Sequence, residues 1–244
     1  MVIDQLGERA TDHAAIAALV HASAHADYYL TRAQAVAALG NFTAPAAMDA
    51  VAAATRDTSA AVRTAAVTAL GTLGGQRAIG IIRDAFAHDS SYHVRAAAVT
   101  AYARADSAHA DAMLSAALRL PSYREVIRHA ALQAVALRQD TARVSDVERM
   151  LALDALPAQV LGVFAAAGDA HALDALLQHV NDERAGVRRF VVDGLGVALS
   201  RPDHAAVLAR VQAAAGSIVH AETKAAVEAL IARIGNAKAK PPRQ

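Results

Sequence analysis

The 244-residue sequence contains no cysteine and no tryptophan, and aromatic residues make up only 4% of it. A disulfide, a thiolate nucleophile, an iron–sulfur cluster and a cysteine-ligated zinc site are all excluded. An excess of one charge is also missing, because 24 Lys and Arg face 23 Asp and Glu for a formal net charge of +1. A chain this close to neutral exerts little long-range pull on a phosphate backbone, so nucleic acid is not the expected partner. No uncharged apolar run approaches the roughly 18 residues of a membrane span, and MVIDQLGERATDH carries acidic residues where a leader has its apolar core. The expected location is cytoplasmic. What the sequence has in plenty is alanine, 67 residues within a hydrophobic fraction of 55%. Alanine is the strongest helix former, and this apolar fraction is too high for disorder.

The alanines fall into a repeat. LTRAQAVAALG, AVRTAAVTALG, HVRAAAVTAYA, VIRHAALQAVA and GVRRFVVDGLG align on Arg32, Arg63, Arg95, Arg128 and Arg188. Each arginine is followed by an apolar residue at +4 (Val36, Val67, Val99, Leu132, Val192) and at +7 (Leu39, Leu70, Tyr102, Val135, Leu195). This spacing marks one helical face. The first four arginines lie 31, 32 and 33 residues apart, and the wider gap before Arg188 holds a degenerate copy centred on Leu156. A last copy around Thr223 keeps Val227 and Leu230. Second apolar-periodic stretches, such as His13 to Ala24 and Ala46 to Arg56, lie between these helices, and Pro45, Gly74, Gly75, Pro121, Gly168 and Pro202 punctuate the breaks. Each repeat is therefore a helix pair. Ile3, Leu6 and Gly7 fall in the phase of Val36, Leu39 and Gly40, which makes 1–8 a partial first repeat, as at the start of a truncated array. The basic stretch 236–244, with Pro241 and Pro242, reads as a disordered tail.

An Asp five and six positions before a Val-Arg pair recurs as Asp57 with Val62 and Arg63, Asp89 with Val94 and Arg95, and Asp182 with Val187 and Arg188. In this the chain resembles HEAT repeats, including those of the phycobilisome-lyase-like kind. The resemblance implies an all-α, right-handed α-α superhelix, an α-solenoid of about seven helix pairs over 1–235. The Asp is expected to cap its helix and the Arg to reach the next repeat's turn, so these charges serve assembly. LPSYREVIRHAALQAVALRQD is similar, more loosely, to the C-terminal HEAT-like domain of bacterial zinc aminopeptidases of the aminopeptidase N type. That family's catalytic H-E-x-x-H is reduced here to His21 and His25 with Ala22 in place of the Glu, so the relationship implies an appended domain without its active site.

No residue set suggests catalysis, a metal or a cofactor. His21 and His25 have ligand spacing but no evident third ligand, and Gly194 and Gly196 sit inside a helical pattern rather than after a strand. Tyr28, Tyr29, Tyr92 and Tyr123 precede the arginines and are expected to fill wedges between repeats. Phe42, Phe86, Phe164 and Phe190 are expected mainly in the core.

At 100° per residue, positions +1 and +5 from each arginine point away from the core and would line a concave wall. This wall is the expected partner-binding surface: Thr64, Thr68, Thr100, His129, Gln133, Arg189, Asp193, Lys224 and Glu228, with Ala33, Ala37, Ala96, Pro157 and Leu161 between them. Arg189 with Asp193, and Lys224 with Glu228, are pairs of opposite sign one turn apart. The expected function is a non-catalytic scaffold that binds another protein. The alternatives are a HEAT-like DNA glycosylase or a bilin-lyase-like enzyme, and the former would need a basic cleft and exposed aromatics.

Overall fold

The computed structural model describes the backbone of residues 2–238 and the side chains of 13–235. These residues form fourteen α-helices in seven successive pairs, with no strand among them. The pairs are the all-α solenoid plan expected from the repeat. Two compact units divide the chain, Met1–Ala134 and Val135–Gln244, where the sequence suggests one continuous array.

Unit 1 begins with α1 (Val2–His25), α2 (Tyr29–Leu39), α3 (Pro45–Ala54), α4 (Ala60–Leu73), α5 (Gly75–His88) and α6 (Tyr92–Ala105). The pair α7 (Asp111–Arg119) and α8 (Val126–Leu137) follows, and the division between the units falls within α8. The break expected after Gly7 is not there: α1 runs unbroken through the segment assigned to a partial repeat. Neither proline nor glycine interrupts Glu8–His25, so nothing in that stretch stops a helix once it has started. Breaks occur where the backbone demands them. Gly74 and Gly75 take φ of +67° and +81° between α4 and α5, a conformation that side-chain-bearing residues resist.

The Arg-bearing helices α2, α4 and α6 pack side by side, with α1 against α2, α3 against α4 and α5 against α6. Their apolar +4 and +7 residues make the core: Val36, Leu39, Val67, Leu70 and Val99 are fully buried and Tyr102 nearly so. Between neighbouring Arg-bearing helices the contact is made by small residues. A Cβ built on Gly40 would lie 2.9 Å from the Ala69 Cβ, and one on Gly71 would lie 2.7 Å from the Ala101 Cα. The alanine excess thus has a packing role as well as a propensity: it lets backbones approach.

Unit 2 contains α9 (Val144–Met150), α10 (Pro157–Ala166), α11 (Ala170–Gln178), α12 (Ala185–Ala198), α13 (Ala205–Ala215) and α14 (Ala221–Lys238). Here α10 packs on α9, α11 and α12, and α12 on α14. The approach of α10 to α12 is closer still, since Cβ atoms on Gly162 and Gly194 would each come within 2.4 Å of a carbonyl oxygen, that of Gly194 and that of Ala158 respectively. Phe164, Leu161 and Leu195 are fully buried around this contact. Of the expected tail, 236–238 belong to α14, and 239–244 lie outside the described residues.

Candidate functional site

The most regular polar feature is a ladder of arginines. Arg32 donates from Nε and Nη2 to both carboxylate oxygens of Asp57 in the next repeat, at 2.8 and 3.0 Å. Arg63 repeats this on Asp89 with the same two distances. The remaining Nη1 turns back to the arginine's own preceding turn, where the carbonyls of Ala26 and Asp27 accept from Arg32 and those of Asp57 and Thr58 from Arg63. In unit 2 Arg188 makes the same backward contacts, with Asp182 and Glu183, while its Nε donates forward to Thr223 Oγ1 at 3.1 Å. One guanidinium thus ties two turns together, as expected of it.

The aspartates do not cap their helices as expected. Ser59 and Ser91 hold the N-cap positions of α4 and α6, neither with a side-chain cap bond. Asp57 and Asp89 lie two residues earlier, and each Oδ1 accepts the N–H of that serine, at 2.7 and 2.8 Å. The two-pronged grip of the arginine fixes the carboxylate plane there, so it closes an Asx turn instead of reaching into the first helical turn. Where sequence breaks the pattern, the ladder stops. Ser122 stands in place of an aspartate, and Arg95 donates instead to the Phe86 carbonyl at 2.8 Å. Leu156 stands in place of an arginine, and Asp182 is gripped by Arg184 of its own turn.

Hydrogen bonds from Arg32 hold Asp57 below the ordinary aspartate value of 3.8. Burial pushes Asp89 upward, but the Arg63 hydrogen bond and the Ser91 N–H outweigh it and the net shift is again downward. Asp182 is lowered by Arg184. Each depressed pKa contributes stability that is complete above the unfolded value and is lost as pH falls through the folded one. The urea midpoint should therefore hold steady from about pH 7 to 5 and decline below about pH 4. Asp57→Asn combined with Asp89→Asn should flatten that decline in unit 1, and an unchanged acid limb would remove the ladder as its cause.

The expected wall separates by unit. In unit 1 the +5 residues Ala37, Thr68 and Gln133 are exposed and Thr100 is half-buried; at +1, Thr64 and His129 are half-buried and Ala96 is buried. Thr68 and Thr100 donate their hydroxyls to the carbonyls of Thr64 and Ala97, so this face offers a partner hydroxyl oxygens and methyl groups more than donors. In unit 2 Arg189, Asp193 and Glu228 are exposed and Lys224 is half-buried. Pro157 and Leu161 depart from the expectation, since both are buried. They belong to α10, which is apolar except at Gln159, and such a helix is enclosed instead of presenting a wall.

The tyrosines depart further. Tyr28 and Tyr123 are 58% and 70% exposed, and Tyr29 and Tyr92 are exposed as well. They fill no wedge, because glycine and alanine bring the helix backbones too close to leave one, and the tyrosines sit at or just before the first residues of their helices. Tyr28 meets Tyr29 edge-on at 5.1 Å. Of the phenylalanines, Phe164 is core, while Phe42, Phe86 and Phe190 are half-buried.

His21 and His25 are exposed with ring centroids 4.8 Å apart. Among the described residues no group of three His, Cys, Asp or Glu is placed to hold a metal ion, and no helix is long and apolar enough to cross a membrane. Two of the clefts among the described residues exceed about 500 Å3. One of about 710 Å3 lies between α3 and α5 in unit 1 and is spanned by Arg77 and Asp49 at 2.6 Å. The other, about 520 Å3, lies between α12 and α14 in unit 2. Sequence reasoning missed both, since a cleft depends on how far two helices stand apart.

Comparison with known proteins finds no match among curated ones. Among solved structures, the chain is similar to the complex of CpcE and CpcF of phycocyanin lyase from Nostoc sp. PCC7120, at 17% identity over 88% of this chain and 93% of that one, with a TM-score of 0.47. It is also similar to human deoxyhypusine hydroxylase in complex with glycerol, at 20% identity over 91% and 84% of the two chains, with a TM-score of 0.39. Neither likeness supports the relationship to zinc aminopeptidases. Two overlapping segments, residues 16–103 and 50–136, match the family model of HEAT repeats, and over that stretch the chain is built of them.

Proposed function

We propose that this chain is a non-catalytic scaffold that binds another protein through the exposed face of its Arg-bearing helices. The observation that carries this reading is the ladder: Arg32, Asp57, Arg63 and Asp89 are consumed in joining repeats. Groups so committed are not available for proton transfer, and what faces outward at +5 is a row suited to surface contact. Binding energy then comes from extended complementarity and a few anchoring residues instead of a deep pocket.

The test is quantitative capture from an extract of the source cells, with wild type and two variants immobilised in parallel, Gln133→Arg for unit 1 and Arg189→Glu for unit 2. Both residues are exposed, so both variants should fold. At least one captured protein should fall about tenfold in recovery with one variant. Equal recovery of every protein by all three would count against this face.

A further inference from the structure

The cleft between α12 and α14 breaks the packing rule of the Arg-bearing helices. Gly40, Gly71 and Gly196 occupy the same position, eight residues after Arg32, Arg63 and Arg188. At Gly40 and Gly71 the next helix leaves no room for a Cβ; at Gly196 a Cβ would meet only the Leu230 Cδ1, at 3.8 Å. Val192 is opened by the same gap. It is half-buried, whereas its counterparts Val36, Val67, Val99 and Leu132 are fully buried. This 520 Å3 cleft is lined by apolar residues, among them Val192, the exposed Val197 and the edge of Leu230, together with one acidic and one basic residue. Asp193 on α12 and Arg233 on α14 both line it, one acidic and one basic. Counted from Arg188 and from Thr223, they stand at +5 and +10, so the two charges are about 7.5 Å apart along the helix axes.

We propose that this cleft seats an amphipathic helix of a partner protein, about two turns of it, laid along α12 and α14. Its apolar seam fills the gap, a basic residue meets Asp193, and an acidic residue about one turn away meets Arg233. This rests on the scaffold reading above and gives it a partner chemistry. An apolar gap with an acid on one helix and a base on the other matches an i, i+4 pair of opposite charges beside a Leu/Ala seam. A polyanion would be repelled at Asp193, and a wholly apolar segment would leave both charges facing it uncompensated.

The probe is a fluorescein-labelled helical peptide of about 16 residues with a Leu/Ala seam flanked by Lys and Glu four positions apart, compared with one in which both flanking residues are Glu. Fluorescence anisotropy with the full chain should show micromolar binding of the mixed-charge peptide and about tenfold weaker binding of the other. Gly196→Leu projects into the cleft from a position where a Cβ has ordinary space, so by circular dichroism it should melt no lower than wild type and abolish binding. Asp193→Lys should reverse the preference between the peptides. Absence of binding up to about 1 mM, or binding indifferent to Gly196→Leu, overturns the proposal. So does a wild-type dimer, seen by light scattering, that Gly196→Leu dissociates, since the occupant is then a second copy. If peptides fail while Gln133→Arg lowers recovery of a captured protein about tenfold, the cleft is discarded and the scaffold reading stands.

Discussion

Gly194→Ala should destabilise unit 2 by about 2 kcal/mol. A single methyl group there would sit 2.4 Å from the Ala158 carbonyl oxygen, and Gly162 faces the same contact from α10, so the obstruction is backbone and not a side chain that can swing aside. Relief requires α10 and α12 to separate, which opens gaps around Phe164 and Leu195, both fully buried. Overpacking of this kind costs about 1–3 kcal/mol or more, and replacing a mid-helix glycine returns only about 1 kcal/mol of backbone entropy. Gly196→Ala, two residues away in the same helix, is the matched control. Its Cβ has ordinary space, so it should be neutral or stabilising by up to about 1 kcal/mol. Urea denaturation followed by circular dichroism separates the two, and equal midpoints for both variants would mean that the close approach does not exist in solution.

Asp89→Ala should cost unit 1 about 2–3 kcal/mol. Its carboxylate receives two hydrogen bonds from Arg63 and one from the Ser91 N–H, with the Arg63 and Asp89 side chains only 14% and 10% exposed. Removing it leaves Nε and Nη2 of a largely enclosed guanidinium without their acceptor, and a group stranded in this way costs more than the average hydrogen bond is worth. A double-mutant cycle with Arg63→Met isolates the pair and should give a coupling of at least about 1.5 kcal/mol. By contrast Arg77→Ala should change little, because Arg77 and Asp49 are both more than half exposed across the unit 1 cleft. A coupling below about 0.5 kcal/mol would reduce the ladder to decoration.

The helix pairs were legible in the sequence because a fixed period with apolar residues at +4 and +7 has one structural solution, and Val36, Leu39, Val67 and Leu70 are buried as that pattern requires. The forward reach of Arg32 and Arg63 was legible for the same reason, since donor and acceptor recur in step. The close backbone approaches were written in the sequence but went unread. Position +6 is Ala38, Ala69, Ala101, Ala134, Gly162, Gly194 and Ala229, never a larger residue. Among so many alanines that row does not stand out until the helices are placed, and the mistaken position for the tyrosines follows from it. What no period reveals is a departure between two particular helices, such as the opening at Gly196, or the enclosure of Leu161 by helices on several sides.

Arg32 and Arg63 each give one hand to the turn behind and two to the carboxylate ahead, so the joint has a head and a tail. A block containing Asp57 and Arg63 presents at its front what the preceding block seeks and offers at its back what the following block needs. Any number of such blocks are mutually compatible, which makes tandem gene duplication a route to a longer array without new joinery. Ser122 and Leu156 interrupt that compatibility, so copies spliced beside either of them would meet a neighbour with no matching half.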